Sequence, residues 1–240
     1  MTDSMIRIEE HGAYARIVID RPAKRNAMNA AARSQLRATL AAVAGRFAVV
    51  ILTGTDKSFC AGMDLSDVKA DDEVAWEAAS RDWIDTLMAI RRHPAVFIAA
   101  VNGVALGGGL SLINVCDLAI AANEASIGMP EMGFGIFPMM AGPTTLKRLA
   151  PKDAAWLIYT AERIDGPTAR EMRLVNRSVP LAELDAAARA LAERIGAYSP
   201  VALAESKRAM ELIPDHIDEW ASGMLHGVQV NKLVRARGKE

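Results

Sequence analysis

A strand-forming run, a glycine turn and a segment of helical composition occur twice in succession in this chain, and that repetition restricts the fold more than any other feature. Residues 49–53 stand upstream of Ser58-Phe59-Cys60-Ala61-Gly62-Met63-Asp64-Leu65, and residues 97–101 run directly into Asn102-Gly103-Val104-Ala105-Leu106-Gly107-Gly108-Gly109. Strands alternating with helical segments favour a parallel-sheet α/β organisation over an all-β or all-α one. At such junctions glycine permits positive φ and close approach of backbone to a ligand, while the first N–H groups of the following helix have no internal partner. Two amides left free in this way can hold an oxygen that gains negative charge.

A chain of 240 residues can bury one large core. Its 28 basic and 29 acidic side chains leave a formal charge of -1, so whole-molecule attraction to nucleic acid or to an anionic membrane is not expected and any anionic ligand must be held locally. Met1-Thr2-Asp3-Ser4-Met5 lacks a basic-then-apolar signal pattern, and the apolar runs are broken before membrane-spanning length; a soluble cytoplasmic protein is expected. Cys60 and Cys116 form no CxxC pair, and His11, His93, His216 and His226 have no helically spaced partner, so no metal site is expected. Cys60 reads as a small buried hydrophobe despite its place beside a glycine turn.

Residues 6–10 and 14–19 alternate in strand fashion around His11-Gly12, the pattern of a hairpin. Asn29 stands where a helix cap is needed, ahead of Leu36, Leu40 and Val43 at helical spacing, and Gly45 ends the segment. Residues 74–90 read as an amphipathic helix with Trp76, Ile84, Leu87 and Met88 available for burial, stopped by His93-Pro94. The preceding Lys69-Ala70-Asp71-Asp72-Glu73 reads as polar and mobile. Residues 118–121 read as a further strand. From Leu181 the chain is mostly helical, with Pro200 and Pro214 dividing three segments, and residues 201–212 are expected to form a cap or subunit contact.

Arg21-Pro22 through Asn26-Ala27-Met28-Asn29, the turn Cys60-Ala61-Gly62-Met63-Asp64-Leu65, the stretch from Asn102 to Gly109, Cys116-Asp117-Leu118-Ala119-Ile120-Ala121 and Met129-Pro130-Glu131 follow one another in a recognisable order. In that order and spacing the chain resembles the crotonase family of enoyl-CoA hydratases, isomerases and relatives, over about residues 6–212. The resemblance implies an α/β spiral of ββα units over residues 1–198 and a C-terminal helical cap or oligomerisation segment over residues 199–240. It also implies a homotrimer or dimer of trimers, and an acyl-CoA thioester whose oxygen is bound by two backbone amides. By position those amides belong to Met63 and Gly108. CoA is part of the substrate, and no separate cofactor is implied.

In the family's hydratases two glutamates hold a water between them. The second is present here as Glu131, but the first position, three residues after Gly108, is Ser111. The family's glycine-rich stretch beyond the second glutamate reads Pro138-Met139-Met140-Ala141-Gly142, with Met139 in place of a glycine. Hydration needs a positioned water that loses one proton while another reaches the α-carbon, a task two carboxyl groups divide well. Ser111 can orient water but is a poor base at neutral pH. Moving a double bond between neighbouring positions needs one base, so single-glutamate isomerisation of an enoyl-CoA through a dienolate is the favoured reading, with Glu131 raised in pKa by Met129, Met132, Phe134, Ile136 and Phe137.

Other readings are hydration with an altered water site, thioester hydrolysis with Ser111 as nucleophile or Glu131 activating water, and a non-catalytic acyl-CoA-binding protein. The glycine cluster is not GxGxxG and no P-loop lysine follows, which argues against a nucleotide fold. CoA is expected at the Pro22-Ala23-Lys24-Arg25-Asn26 loop, with Lys24 and Arg25 toward phosphates and backbone near Ala23 or Ala61 toward adenine. Lys207-Arg208 follows a Ser-Pro helix start like the family's and reads equally well as surface. The family's acidic-Gly turn and Lys-Arg-Pro ending have no counterpart in Arg235-Ala236-Arg237-Gly238-Lys239-Glu240, so a cap over a neighbouring subunit is less expected than the core.

Overall fold

The computed structural model describes residues 4–67, 72–217 and 219–238. β1 (Ile6–His11) and β2 (Tyr14–Ile19) form the expected hairpin, paired antiparallel from Ile6 opposite Ile19 to His11 opposite Tyr14, with Gly12 at φ +53 in the turn. The Asn29 side chain accepts from the Ala32 N–H and caps α1 (Ala30–Val43), whose Leu36, Leu40 and Val43 are buried.

The chain then repeats one unit. β3 (Val49–Gly54) leads to β4 (Ser58–Cys60) and α2 (Glu73–Arg91); β5 (Val96–Val101) leads to β6 (Val104–Leu106) and α3 (Gly108–Val115); β7 (Leu118–Ala122) leads to β8 (Ser126–Gly128) and the helices α4 (Ala141–Leu146) and α5 (Pro151–Thr160). The first strand of each unit joins a six-stranded sheet of order β1-β2-β3-β5-β7-β10, closed by β10 (Arg177–Val179). The second joins a four-stranded sheet of order β4-β6-β8-β9, where β9 is Arg163–Ile164. Apart from the first hairpin and the β8–β9 pair, the ladders are parallel. This is the spiral of ββα units, and the core lies between the large sheet and its helices.

Expectations change at α2, at Pro214 and at Lys207. The buried stripe of α2 is Trp83, Thr86, Leu87 and Ile90, whereas Ile84 is 44% exposed and Trp76 only half-buried. Trp83, Leu87 and Ile90 recur at helical spacing, and Ile84 stands one residue out of that phase. Of the connection expected to be mobile, Lys69 to Asp71 lie outside the described residues, while Asp72 caps α2 through the Ala75 N–H.

Pro214 does not divide the C-terminal helices. After α6 (Gly166–Glu171) and α7 (Leu181–Gly196), α8 (Pro200–His216) runs through it, because a proline in the last turn removes a single helical bond near the helix end. The break comes at Ile217, and Glu219 caps α9 (Trp220–Arg237). Lys207, on α8, is not a surface cation: its ammonium donates to the Asp117 carboxylate at 2.8 Å and to the carbonyls of Ala95 at 2.9 Å and Ile90 at 3.3 Å, docking α8 on the large sheet. Arg208 is the exposed member of that pair and meets Glu205. Among the described residues no helix is long and apolar enough to cross a membrane.

Candidate active site

The two glycine turns meet. Gly62 has φ +99, and a Cβ there would lie 2.8 Å from the Leu106 carbonyl and 3.1 Å from the Gly108 nitrogen, so only glycine allows the approach. Behind the first turn, Met28 forms an isolated parallel bridge with Met63: the Met28 N–H donates to Gly62 O at 2.8 Å, and the Asp64 N–H donates to Met28 O at 3.1 Å. In a parallel bridge the opposed residue turns its own peptide groups the other way, and the Met63 N–H has no acceptor among the described residues. Gly108 opens α3, where the helix supplies no acceptor for its N–H, and none is found elsewhere among the described residues. Both residues are partly exposed. The two amides singled out in the sequence are thus free, adjacent and open.

Asp64 anchors the first turn. It accepts from the Ser66 N–H at 3.1 Å, the Ser66 hydroxyl at 2.6 Å and Arg21 at 3.0 Å. Burial pushes its carboxyl up, but the Ser66 and Arg21 bonds outweigh that and hold it below the usual carboxylate range. Cys60 is fully buried, its thiol pushed up to about 12, so it is the expected packing residue rather than a nucleophile.

Glu131 sits on a 3-10 turn, Pro130–Phe134, that Pro130 starts and Gly135 ends in the left-handed region. A Cβ on Gly107 would lie 2.5 Å from Glu131 Oε1, and Gly107 itself has φ +51, so the carboxylate packs where Gly107 has no side chain. Glu131 Oε2 is buried with no hydrogen-bond donor among the described residues, and burial raises the carboxyl above its ordinary value. The direction matches expectation; the stated cause needs correction. Only Met129 of the five apolar residues is buried, while Met132, Phe134, Ile136 and Phe137 are 39% to 75% exposed because the short turn projects them outward. Desolvation comes from packing against Gly107 and its surroundings.

Ser111 is fully buried, and among the described residues its hydroxyl reaches only the Gly107 carbonyl, at a long 3.5 Å. No base is bonded to it among the described residues. Met139 is 48% exposed. Sequence reading missed Trp83, whose indole edge faces the site: a Cβ on Gly108 would lie 2.6 Å from Trp83 Cζ2, and the buried Nε1–H on the same ring has no acceptor among the described residues. Its signal was the phase of α2, with Leu87 and Ile90 on the same stripe.

The loop expected to meet CoA is pinned by buried Asn26, whose side chain accepts from the Arg21 N–H at 2.8 Å and donates to Thr55 O at 3.0 Å and Ser58 O at 2.6 Å. Ala23, Lys24 and Arg25 are exposed, and the half-buried Ala61 donates its N–H to Arg25 O at 3.0 Å. An open cavity of about 400 Å³ beside the loop is lined by Pro22, Arg25, Thr55, Asp56, Lys57 and Ser58. Lys57, in the turn between β3 and β4, was not singled out, and Lys24 does not line this cavity.

An α/β spiral with two free amides at touching glycine turns, and a carboxylate beside them whose Oε2 is buried, suits an enzyme that works on an acyl thioester. The chain belongs to the enoyl-CoA hydratase/isomerase family, whose model matches residues 9–215. It is 35% identical over 215 residues to a putative enoyl-CoA hydratase/isomerase of Bacillus subtilis, covering 88% of this chain and 82% of the relative. It is also 35% identical over 207 residues to a short-chain-enoyl-CoA hydratase of Clostridium acetobutylicum, covering 85% and 79%. The crystal structure of an enoyl-CoA hydratase from Bacillus anthracis superposes with a TM-score of 0.89 at 31% identity, covering 97% of this chain and 91% of that one. The chain is therefore an acyl-CoA-processing enzyme of this family with the crotonase fold.

Proposed function

We propose that Glu131 works as the single acid/base of an enoyl-CoA isomerase that moves a double bond between the Δ3 and Δ2 positions. The observation that carries this reading is the unpaired, buried Oε2 of Glu131 beside two free amides, with buried Ser111 at the position where a second glutamate would stand. The thioester oxygen accepts from the N–H groups of Met63 and Gly108. Glu131 takes a proton from C2 of the 3-enoyl chain, the electron pair spreads over a dienolate whose charge the two amides hold, and Glu131 returns the proton to C4. No resident cofactor enters these steps.

A base must be ionised to act. Because burial raises the Glu131 carboxyl, the rate falls on acidification at a pH above the ordinary carboxylate range. Hydration is the second reading, supported by the hydratase names of relatives, and it requires a water held by Glu131 without a carboxylate partner. Proton NMR in deuterated water with 3-enoyl-CoA and 2-enoyl-CoA separates these readings. Double-bond migration that drops by about 10²- to 10⁴-fold in Glu131→Gln, with ester binding kept, is the expected result. Accumulation of 3-hydroxyacyl-CoA favours hydration, release of free CoA favours thioester hydrolysis, and full isomerase activity in Glu131→Gln removes the base.

A homotrimer or dimer of trimers belongs to the same reading. It is supported by exposed Phe134, Trp156, Tyr159, Met210, Trp220 and Leu225, which leave apolar area to be covered. Sedimentation velocity reads the mass, and a monomer at micromolar concentration would refute it.

A further inference from the structure

Arg33 lies on α1, is 2% exposed, and touches the supports of both free amides. Its Nη1 donates to Met28 O at 2.9 Å, the same oxygen that accepts the Asp64 N–H. Its Nε donates to the Asp82 carboxylate on α2, and its guanidinium carbon lies 5.8 Å from the centroid of the Trp83 ring. Met28 is the bridge partner that turns the Met63 N–H outward, and Trp83 is the ring packed on Gly108. One buried cation therefore bridges the backing of the first turn and that of the second.

A buried ion pair is weak evidence for stability, since well-packed apolar residues of similar volume often serve as well; fixing one arrangement of the parts around it is a better-supported use. The planar guanidinium suits that task, because its rigid fork presents donors in fixed directions to a carbonyl and a carboxylate while its face lies over an aromatic ring.

We propose that Arg33 is a positioning residue for both oxyanion amides, aiming the Met63 N–H through the Met28 carbonyl and holding Trp83 against Gly108. The proposal rests on the reading of Met63 and Gly108 as the donors to the thioester oxygen. Arg33 itself does not touch the substrate. Its loss lets the two N–H groups drift from the oxygen's position, and misplacement of about 1 Å costs on the order of 100-fold in rate. The loop expected to meet CoA keeps its own anchor, since Asn26 bonds to Thr55 and Ser58 rather than to Arg33.

The test uses a cinnamoyl-type CoA ester, whose absorption moves to the red when its carbonyl is polarised, bound at saturation to the wild-type protein and to Arg33→Met, Arg33→Lys and Arg37→Met. Arg37 pairs with the same Asp82 at 2.6 Å and bonds to Thr86 rather than to Met28, so it controls for general loosening between α1 and α2. Arg33→Met is expected to lose most of the red shift and about 10- to 100-fold in kcat, with KM changed less than about threefold. Arg33→Lys keeps the charge without the fixed fork and is expected to lose part of both, which decides the matter if Arg33→Met does not fold. Arg37→Met is expected to keep both. A wild-type red shift and kcat in the Arg33 variants would overturn the proposal, as would an equal loss in Arg37→Met. Absence of a shift in the wild-type complex would instead overturn the assignment of the two amides, and the proposal with it.

Discussion

Two clusters of polar groups in this molecule are built on opposite terms. Around Lys207 the described groups are matched: its ammonium has three acceptors, Asp117 also accepts the Phe97 N–H at 2.8 Å, and His93 accepts from the Ala95 N–H while its other ring nitrogen meets Leu40 O. Around Gly107 and Gly108 the groups are left open: two backbone N–H groups, one glutamate oxygen and one indole N–H have no partner among the described residues. Buried polar groups are nearly always bonded in folded proteins. A cluster that satisfies itself holds the fold together, and a cluster that does not is arranged for something yet to arrive.

Unfolding experiments on one variant from each cluster can break this contrast. Lys207→Met leaves Asp117 and two carbonyls without their cation and is expected to destabilise by roughly 3 kcal/mol, read as a lowered denaturation midpoint. Glu131→Gln is expected to do the reverse on a smaller scale. A carboxyl raised by burial binds its proton more tightly folded than unfolded, so wild-type stability falls as pH rises from the ordinary carboxylate range through the raised value. The variant escapes that loss: it matches the wild type in acid and equals or exceeds it at neutral pH. Destabilisation by Glu131→Gln at neutral pH would mean that the carboxylate is a structural group after all.

The exposed cations beside the 400 Å³ cavity extend the contrast to the surface. Arg25 and Lys57 have no ion-pair partner among the described residues, and both line the cavity. Replacing both by alanine is expected to weaken free CoA by about tenfold at low salt, with stability unchanged. Lys24→Ala alone is expected to do less. Calorimetric titration reads the affinity, and an unchanged value in the double variant would remove both from phosphate binding.

What the sequence displayed was local in origin. Asn29 caps within three residues, Gly12 turns a two-strand hairpin, and residues 49–52 of β3 and 96–101 of β5 are apolar throughout, so each is readable where it stands. β6, β8 and β9 were not readable, because strands of two or three residues exist only through partners far along the chain. The glycine turns and Glu131 were legible as an ordered set of motifs. The phase of α2 marks Trp83 for burial but not for Gly108, and Arg33 and Lys57 carry no local mark of what they face, since their places come from tertiary contact. Lys207 shows the same limit from the other side, since its interior anchor is invisible beside the exposed Arg208.

The bridge between Met28 and Met63 is one rung long. A longer ladder would correct a slipped rung through its neighbours, but this one has none, so its phase is kept by the chain length between buried Asn26 and the helix cap Asn29 and by the Arg33 bond to the Met28 carbonyl. One residue more or fewer in that span would hand the rung to a neighbour and turn a different amide outward. Substitutions at Ala27 and Met28 are thus a matter of volume, whereas an insertion or deletion there would exchange the donor itself while leaving every glycine of the site in place.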